Sequence, residues 1–567
     1  MVSRNPKQIA LTIFAILIAA FSLSAQAKRP DFNRPQTYDV QHYVIRTSFD
    51  RAKSRVEGDT TVLLRPLKAD FRLAELDAVD LRFESVKLEP AGVNLSYKVA
   101  NGKISVILDR SYGPEETISI RFRYTTEPAK GIYFRDESSR SETVQHSSQI
   151  WTQGEPDEAR HWFPSFDFPS DKATTEQYLT VEKGQTVIAN GELLEKTSNS
   201  NGTETWHFRT AVPHSTYLVS FIIGQYSKIE DKYKEVPLTF YVYPGKENTG
   251  RKAFADTKKM IAAFEELTGV SYPYNKYDQT VVANFQFGGM ENITATTMAD
   301  SEIFLADFDF GQSTVIDLVS HELAHSWFGN LVTCRNWAEL WLNEGFATYM
   351  EAAYREKTFG RDDYLKKIRA DAAAFLVDDT INRRRHGLFN QRAGDVNSLF
   401  DNSATTYNKG GVVVHMLREQ VGTGNFWKGI NIYLNRHKFA PVESTDLRKA
   451  MEEASGQELG WFFDQWVYGA GAPNLKVKQV YSRRTKTLTL TFSQTQLTDT
   501  ITPAVFRLPL EITISTPNGS VDHTIEINQR IQSFTFKLGA KPDSLDVDLN
   551  QRIPLKKLRI QSLAVVK

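Results

Sequence analysis

The chain has 567 residues, 41% hydrophobic and 24% charged, enough apolar content for several buried cores, so wholesale disorder is excluded. Its 68 Lys and Arg cancel its 68 Asp and Glu, leaving no bulk field to draw it onto nucleic acid or an anionic membrane surface. The single cysteine, Cys334, closes no intramolecular disulfide and builds neither a cysteine-based zinc site nor a CxxC redox centre.

The chain opens with Arg4 and Lys7, an apolar run from Ile9 to Leu23, and Ala25-Gln26-Ala27. That order reads as a secretory signal cleaved after Ala27. The competing reading is a retained anchor, but a span needs about 20 apolar residues and this run is short. No cysteine follows the cleavage site, which argues against a lipoprotein. The mature protein is expected to be exported, periplasmic or secreted, with no stable membrane span; one cysteine suits an oxidising compartment.

From Tyr38 to Tyr243 the pattern predicts strands, among them Val40–Ile45, Thr60–Leu64, Thr216–Ile223 and Leu238–Tyr243, all rich in β-branched and aromatic residues. Pro244-Gly245 breaks the run. Beyond it Phe254, Met260, Ile261, Phe264 and Leu267 take helical spacing, and helices dominate to about Tyr468. Gly469-Ala470-Gly471-Ala472-Pro473 is a breaker, after which strands resume, with a hairpin expected at Pro517-Asn518-Gly519. The expected plan is multidomain α+β: a signal over 1–27, a β domain over 28–244, a mainly helical domain over 245–470 and a small β module over 471–567.

The segment richest in chemistry runs from Ser313 to Tyr354. His321-Glu322-Leu323-Ala324-His325 fits HExxH within a helical pattern expected to stop at Gly329-Asn330. Positions four apart share a helix face, so both imidazoles can point at one zinc ion. A third ligand is needed, with one position left for water. Glu344, 18 residues beyond His325 in a second helical stretch, leaves room for a turn and a returning carboxylate. Glu322 lies about 100° round the helix from His321, free to act as general base on the attacking water. Imidazole and carboxylate donors also accept cobalt or manganese.

HExxH followed by 18 residues and Glu, with Trp341-Leu342-Asn343-Glu344-Gly345 around it, resembles the aminopeptidase N family of zinc metallopeptidases. Gly288-Gly289-Met290-Glu291-Asn292 matches that family's GxMEN exopeptidase motif. Thr152-Gln153-Gly154-Glu155-Pro156 and Tyr407-Asn408-Lys409-Gly410-Gly411 match two further family segments in order and spacing. The resemblance implies an N-terminal β-saddle, a thermolysin-like catalytic domain and a β-sandwich, with one zinc held by His321, His325 and Glu344. It further implies Glu322 as base, Tyr407 as oxyanion donor, and Glu155 and Glu291 as carboxylates for the free α-ammonium of a peptide. The backbone of Gly288 and Gly289 would lie along the substrate, and Phe287 would wall the first side-chain pocket, favouring apolar or flat side chains. Longer members continue into a helical domain over the active site, so a more open cleft is expected here.

The resemblance implies a zinc aminopeptidase acting on peptides with a free N-terminus. An endopeptidase or an epoxide-type hydrolase is the alternative among enzymes, because the leukotriene-hydrolase branch shares the GGMEN form; Glu155 leans against it, since glutamine is usual there. A catalytically silent zinc-binding surface protein would be expected to lack Glu322 or Tyr407. Asp317 and Glu339 are candidates for orienting the zinc ligands. His415 and Cys334 read as packing, and Arg383-Arg384-Arg385 as a solvated loop.

Overall fold

The computed structural model describes residues 29–137, 146–382, 384–549 and 551–567. The leader expected over 1–27 lies outside them, as does Arg383. Among the described residues no helix is long and apolar enough to cross a membrane.

The N-terminal region is built on an eight-stranded sheet. At its centre β1 (Tyr38–Asp50) pairs antiparallel with β2 (Arg55–Pro66), Tyr43 opposite Val62. On the far side of β2 lies antiparallel β3 (Ile118–Thr126), Val62 opposite Ile120. β1 also pairs in parallel with β4 (Ala173–Glu182), which continues antiparallel to β5 (Thr203–His214). Val62, Leu64, Ile120 and Phe122 are buried, while Arg123 is exposed. Side chains alternate between sheet faces along a strand, so one face builds the core. A second sheet carries Gln149–Thr152 as an inner strand between Ile132–Arg135 and Phe221–Gly224. That strand is buried at all four positions and runs straight into Gln153-Gly154-Glu155.

Two expectations change here. Thr216–Ile223 is not one strand: Thr216–Leu218 forms a 3-10 turn, closed by the Leu218 N–H to the Ser215 carbonyl at 3.2 Å, and the strand begins at Phe221. The segment passes between two cores, with Tyr217 and Leu218 in one and Val219 and Phe221 in the other. A run buried on every side carries no period to separate turn from strand. The expected boundary at 244/245 also cuts through a sheet. β6 (Val236–Val242) pairs in parallel with β7 (Tyr277–Val282), and β7 with Ala295–Ala299, which carries Gly289–Met290 at the sheet edge. The first core ends at Ile223 and the second resumes at Ile229, so the structural break falls near Gly224–Ser227. Pro244-Gly245 marks a change of element inside one unit.

Four helices carry the centre of the second region: α1 (Gln312–Ala324), α2 (Trp341–Phe359), α3 (Arg361–Ile381) and α4 (Gly410–Val421). α2 is buried continuously from Trp341 to Tyr354, as expected of a helix packed on all sides. α1 ends at Ala324, earlier than the pattern predicts. His325 forms its cap, and non-helical turns follow to Gly329, whose φ is 127°. The last region holds two sheets. One contains Asn474–Ser482, Thr487–Gln494 and Ile531–Lys537; the other joins Leu508–Thr516 to Gly519–Ile527 and Ser544–Val547. Their inward residues, such as Leu490, Phe492, Ile512 and Ile514, share a core continuous with the helical region. The predicted hairpin is present, with Thr516 opposite Gly519.

Candidate active site

His321 and His325 project from one face of α1 and its cap. Each imidazole is oriented by its other nitrogen. His321 Nδ1–H donates to Glu351 Oε1 at 2.8 Å, and His325 Nδ1–H to the Phe328 carbonyl at 2.8 Å. A carboxylate and a carbonyl only accept, so Nδ1 carries a proton in each ring and Nε2 is the atom each ring can offer to a metal. Both Nε2 atoms face Glu344 Oε2, at 3.2 and 3.4 Å, and His321, His325 and Glu344 offer ligand atoms all within 4.8 Å of one another. Two imidazole nitrogens, each on a ring whose other nitrogen is hydrogen-bonded, and one carboxylate oxygen fit zinc with an open fourth position. Asp317 and Glu339 do not orient these rings. Asp317 pairs with Arg355 at 2.7 Å, and Glu339 accepts a bond from Ser444. Glu351 orients His321, and its position seven residues after Glu344 on the same helix is the signal that could have found it.

Glu322 is buried beside this donor set, and its Oε2 has no hydrogen-bond partner. A Cβ on Gly289 would lie 2.3 Å from Glu322 Oε1, so a missing side chain lets the sheet edge pass that close. Burial pushes the Glu322 carboxyl up to about 8 against the pull of His321 and His325. Burial also pushes Glu344 up, but His325 and the contact with His321 outweigh it and bring it down to about 2. Glu344 is thus held ionised, as a carboxylate that ligates a metal must be.

Tyr407 lies in a π-helical turn, Thr405–Lys409, just before α4. Such turns are frequent at functional sites. Its ring is nearly parallel to that of His321, at 6.0 Å and 15°. The approach depends on two glycines in contact: a Cβ on Gly345 of α2 would meet the Gly410 Cα at 2.8 Å. Burial, followed by Glu344, raises the Tyr407 hydroxyl, so it remains a donor at neutral pH.

Glu155 and Glu291 complete the acidic wall. Both are buried, each has one oxygen without a hydrogen-bond partner, and they form a group with Glu344 whose ligand atoms lie within 4.8 Å. Burial, then Glu291, raises Glu155. Gln153 Nε2 donates to the Glu155 carbonyl at 3.3 Å and touches Met290 Sδ at 3.4 Å, tying the two segments together. Asn330 Nδ2 donates to the Glu291 carbonyl at 2.8 Å.

These groups share a cavity of about 650 Å³ with Phe287, Gly288, Gly289 and Met290, so every residue expected to hold metal, act in catalysis or bind substrate lines it, while Glu339 does not. Phe287 is 39% exposed and packs against Phe400 at 5.9 Å. Phe400, Lys367 and Glu302 also line the wall and were not anticipated. Phe400 stands in a loop without periodicity, where sequence offers no signal. Outside the cavity, His415 Nδ1 meets the Tyr364 hydroxyl at 2.7 Å, Cys334 is buried, and Arg384 pairs with Asp401 at 2.8 Å.

Residues 35–218 match the M1 peptidase N-terminal domain, and residues 252–466 match the peptidase family M1 domain. The chain belongs to the M1 peptidase family. Aminopeptidase 2 of Candida albicans is 28% identical over 462 residues, covering 79% of this chain and 48% of that protein. Probable aminopeptidase 1 of Saccharolobus solfataricus is 29% identical over 495 residues, 86% of this chain and 59% of its own. Glutamyl aminopeptidase of Bos taurus is 33% identical over 345 residues, 59% and 36% of the two chains. This M1 chain spans about half the length of the relatives it matches. Both M1 domains carry the cavity: Glu155 falls in the first, and Glu291, His321 and Tyr407 in the second.

Proposed function

We propose that the chain is a zinc-dependent aminopeptidase, with one zinc per chain, removing N-terminal residues from peptides outside the cytoplasm. The observation that carries this reading is the pair of buried, incompletely partnered carboxylates, Glu155 and Glu291, beside a His, His, Glu donor set. His321, His325 and Glu344 would hold the zinc, which would supply a Lewis acid for the scissile carbonyl and lower the pKa of a water towards about 7. Glu322 takes the proton of the attacking water and delivers it to the leaving amine. Tyr407 donates its O–H to the developing oxyanion. Glu155 and Glu291 accept charge-assisted bonds from the α-ammonium and so place the cut one residue from the terminus. Phe287 and Phe400 offer the first side chain an aromatic wall that favours apolar or flat residues. The relatives' names, all aminopeptidases among those given above, support the reading, and the charge pattern of residues 1–27 supports export.

The test compares a peptide bearing a free amine with its N-acetylated twin, using protein whose metal content has been measured. Rapid, chelator-sensitive cleavage of the free amine alone is expected. Equal cleavage of both peptides removes the exopeptidase claim, and full activity in metal-free protein removes the zinc.

A further inference from the structure

The wall of the cavity contains a chain of buried polar groups that the chemistry above does not use. It begins at the zinc-ligand candidate His321, whose Nδ1–H donates to Glu351 Oε1 at 2.8 Å. The other Glu351 oxygen pairs with Lys367 Nζ at 2.9 Å. Lys367 donates to both oxygens of Asp371 at 2.8 Å. Asp371 Oδ1 also accepts from Asn408 Nδ2 at 2.8 Å, and Asn408 is the residue after Tyr407 in the π-helical turn. The side chains of Glu351, Lys367 and Asp371 are 11%, 12% and 5% exposed. Burial lowers the Lys367 ammonium, but Glu351 and Asp371 outweigh it and keep it charged.

The chain therefore links α1, α2, α3 and the Tyr407 turn, with its ends at two groups whose separation the reaction needs fixed. Stability alone does not account for it, because buried ion pairs contribute little that apolar packing of equal volume could not. We propose that Lys367 and Asp371 are positioning residues, which hold the Tyr407 turn in register with His321 through Glu351 and Asn408. Lys367 cancels the repulsion between Glu351 and Asp371 across α2 and α3, and Asp371 pins Asn408 and with it the tyrosine beside it. Without the ammonium, the two carboxylates separate and the turn is released.

The inference rests on the aminopeptidase reading for its kinetic arm only. Lys367→Met, Lys367→Arg and Asp371→Asn are made in the zinc-loaded full chain, each also combined with Tyr407→Phe. Lys367→Met is expected to keep one zinc per chain and lower kcat about 10- to 100-fold, the range for weakening the outer support of a metal ligand, here Glu351 behind His321, with KM little changed. Lys367→Arg should restore most of the loss. In the Tyr407→Phe background, Lys367→Met should cost almost nothing more, because both act on one step. Undiminished kcat in Lys367→Met, loss of zinc, or a full multiplicative loss on top of Tyr407→Phe would each overturn the proposal. Asp371→Asn, which keeps the Lys367–Glu351 pair, takes its place if Lys367→Met does not fold. A crystal structure gives the arm that needs no activity. In the variant the Tyr407 hydroxyl should move by more than about 0.5 Å, the tolerance of a preorganised site, and an unmoved hydroxyl sinks the idea. A wild-type chain inactive on every aminoacyl substrate sinks the aminopeptidase reading and leaves that crystallographic arm standing.

Discussion

The N-terminal region and the cleft both bury carboxylates, and they treat them in opposite ways. In the N-terminal region Asp77 receives Arg34 and, at 2.9 Å, the Asp167 backbone N–H. Asp167 in turn accepts from the Arg160 backbone N–H at 3.1 Å, from Arg160 Nε at 3.0 Å and from Thr216 Oγ1 at 2.9 Å. In the cleft, Glu155, Glu291 and Glu322 each keep an oxygen with no hydrogen-bond partner. Taking a charge out of water costs several kcal/mol unless something replaces the lost hydration. The first arrangement replaces it within the protein and is finished. The second leaves the replacement to a ligand, and the surrounding fold sustains the strain. A buried carboxylate therefore signals function when its lone pairs are left open.

The sharpest way to break this contrast is at Glu322. Glu322→Gln should keep its zinc and lower kcat about 100- to 10,000-fold, the range of a lost general base. Steady-state kinetics with metal analysis checks it, and a fully active variant contradicts the assigned role. The opposite response is expected in the N-terminal region. Arg160→Met leaves Asp167 buried beside Asp77 without its cation and should lower the unfolding free energy by about 3–5 kcal/mol, read by urea denaturation. The kinetic constants of the protein that remains folded should not change. Tyr407→Phe comes next, with about a 100- to 1,000-fold loss in kcat and little change in KM; a dominant rise in KM would make the phenol a binding group. The smallest effect is expected at Glu155. Glu155→Gln should lower kcat/KM on free-amine substrates by about 2 kcal/mol, roughly 30-fold, and narrow the preference over N-acetylated peptides. The same variant should leave the melting temperature of metal-free protein unchanged or raise it, because a buried carboxyl oxygen with no hydrogen-bond partner has gone. A clear fall in that temperature would put Glu155 in the same class as Asp167.

Much of the fold is legible in periodicity. Thr60–Leu64 lies within β2 as its β-branched composition predicts, although Leu63 interrupts the alternation, and Ile120 and Phe122 of β3 alternate with Ser119, Arg121 and Arg123 inside the region read as strands. The reading failed where burial is two-sided, as at Thr216–Leu218, and where punctuation was taken for a domain limit, as at Pro244-Gly245. In the cavity, the motif residues were found because short segments carry several chemical groups at once. Glu351 had a usable signal in its seven-residue offset from Glu344. Lys367, Asp371 and Phe400 had none, since an isolated Lys, Asp or Phe looks alike on a solvated face and on a cavity wall.

By itself the sequence determined what backbone geometry imposes over a few residues: strands of period two, the helical face shared by His321 and His325, and the two-residue turn before Gly519. These follow from hydrogen bonding along a strand or helix and need no distant partner. Tertiary structure alone decided which imidazole nitrogen faces the donor set, how closely α2 and α4 approach at Gly345 and Gly410, and which buried acids keep an oxygen without a hydrogen bond. Those outcomes depend on which surfaces the chain buries against each other, and packing between segments far apart in sequence leaves no local period to read.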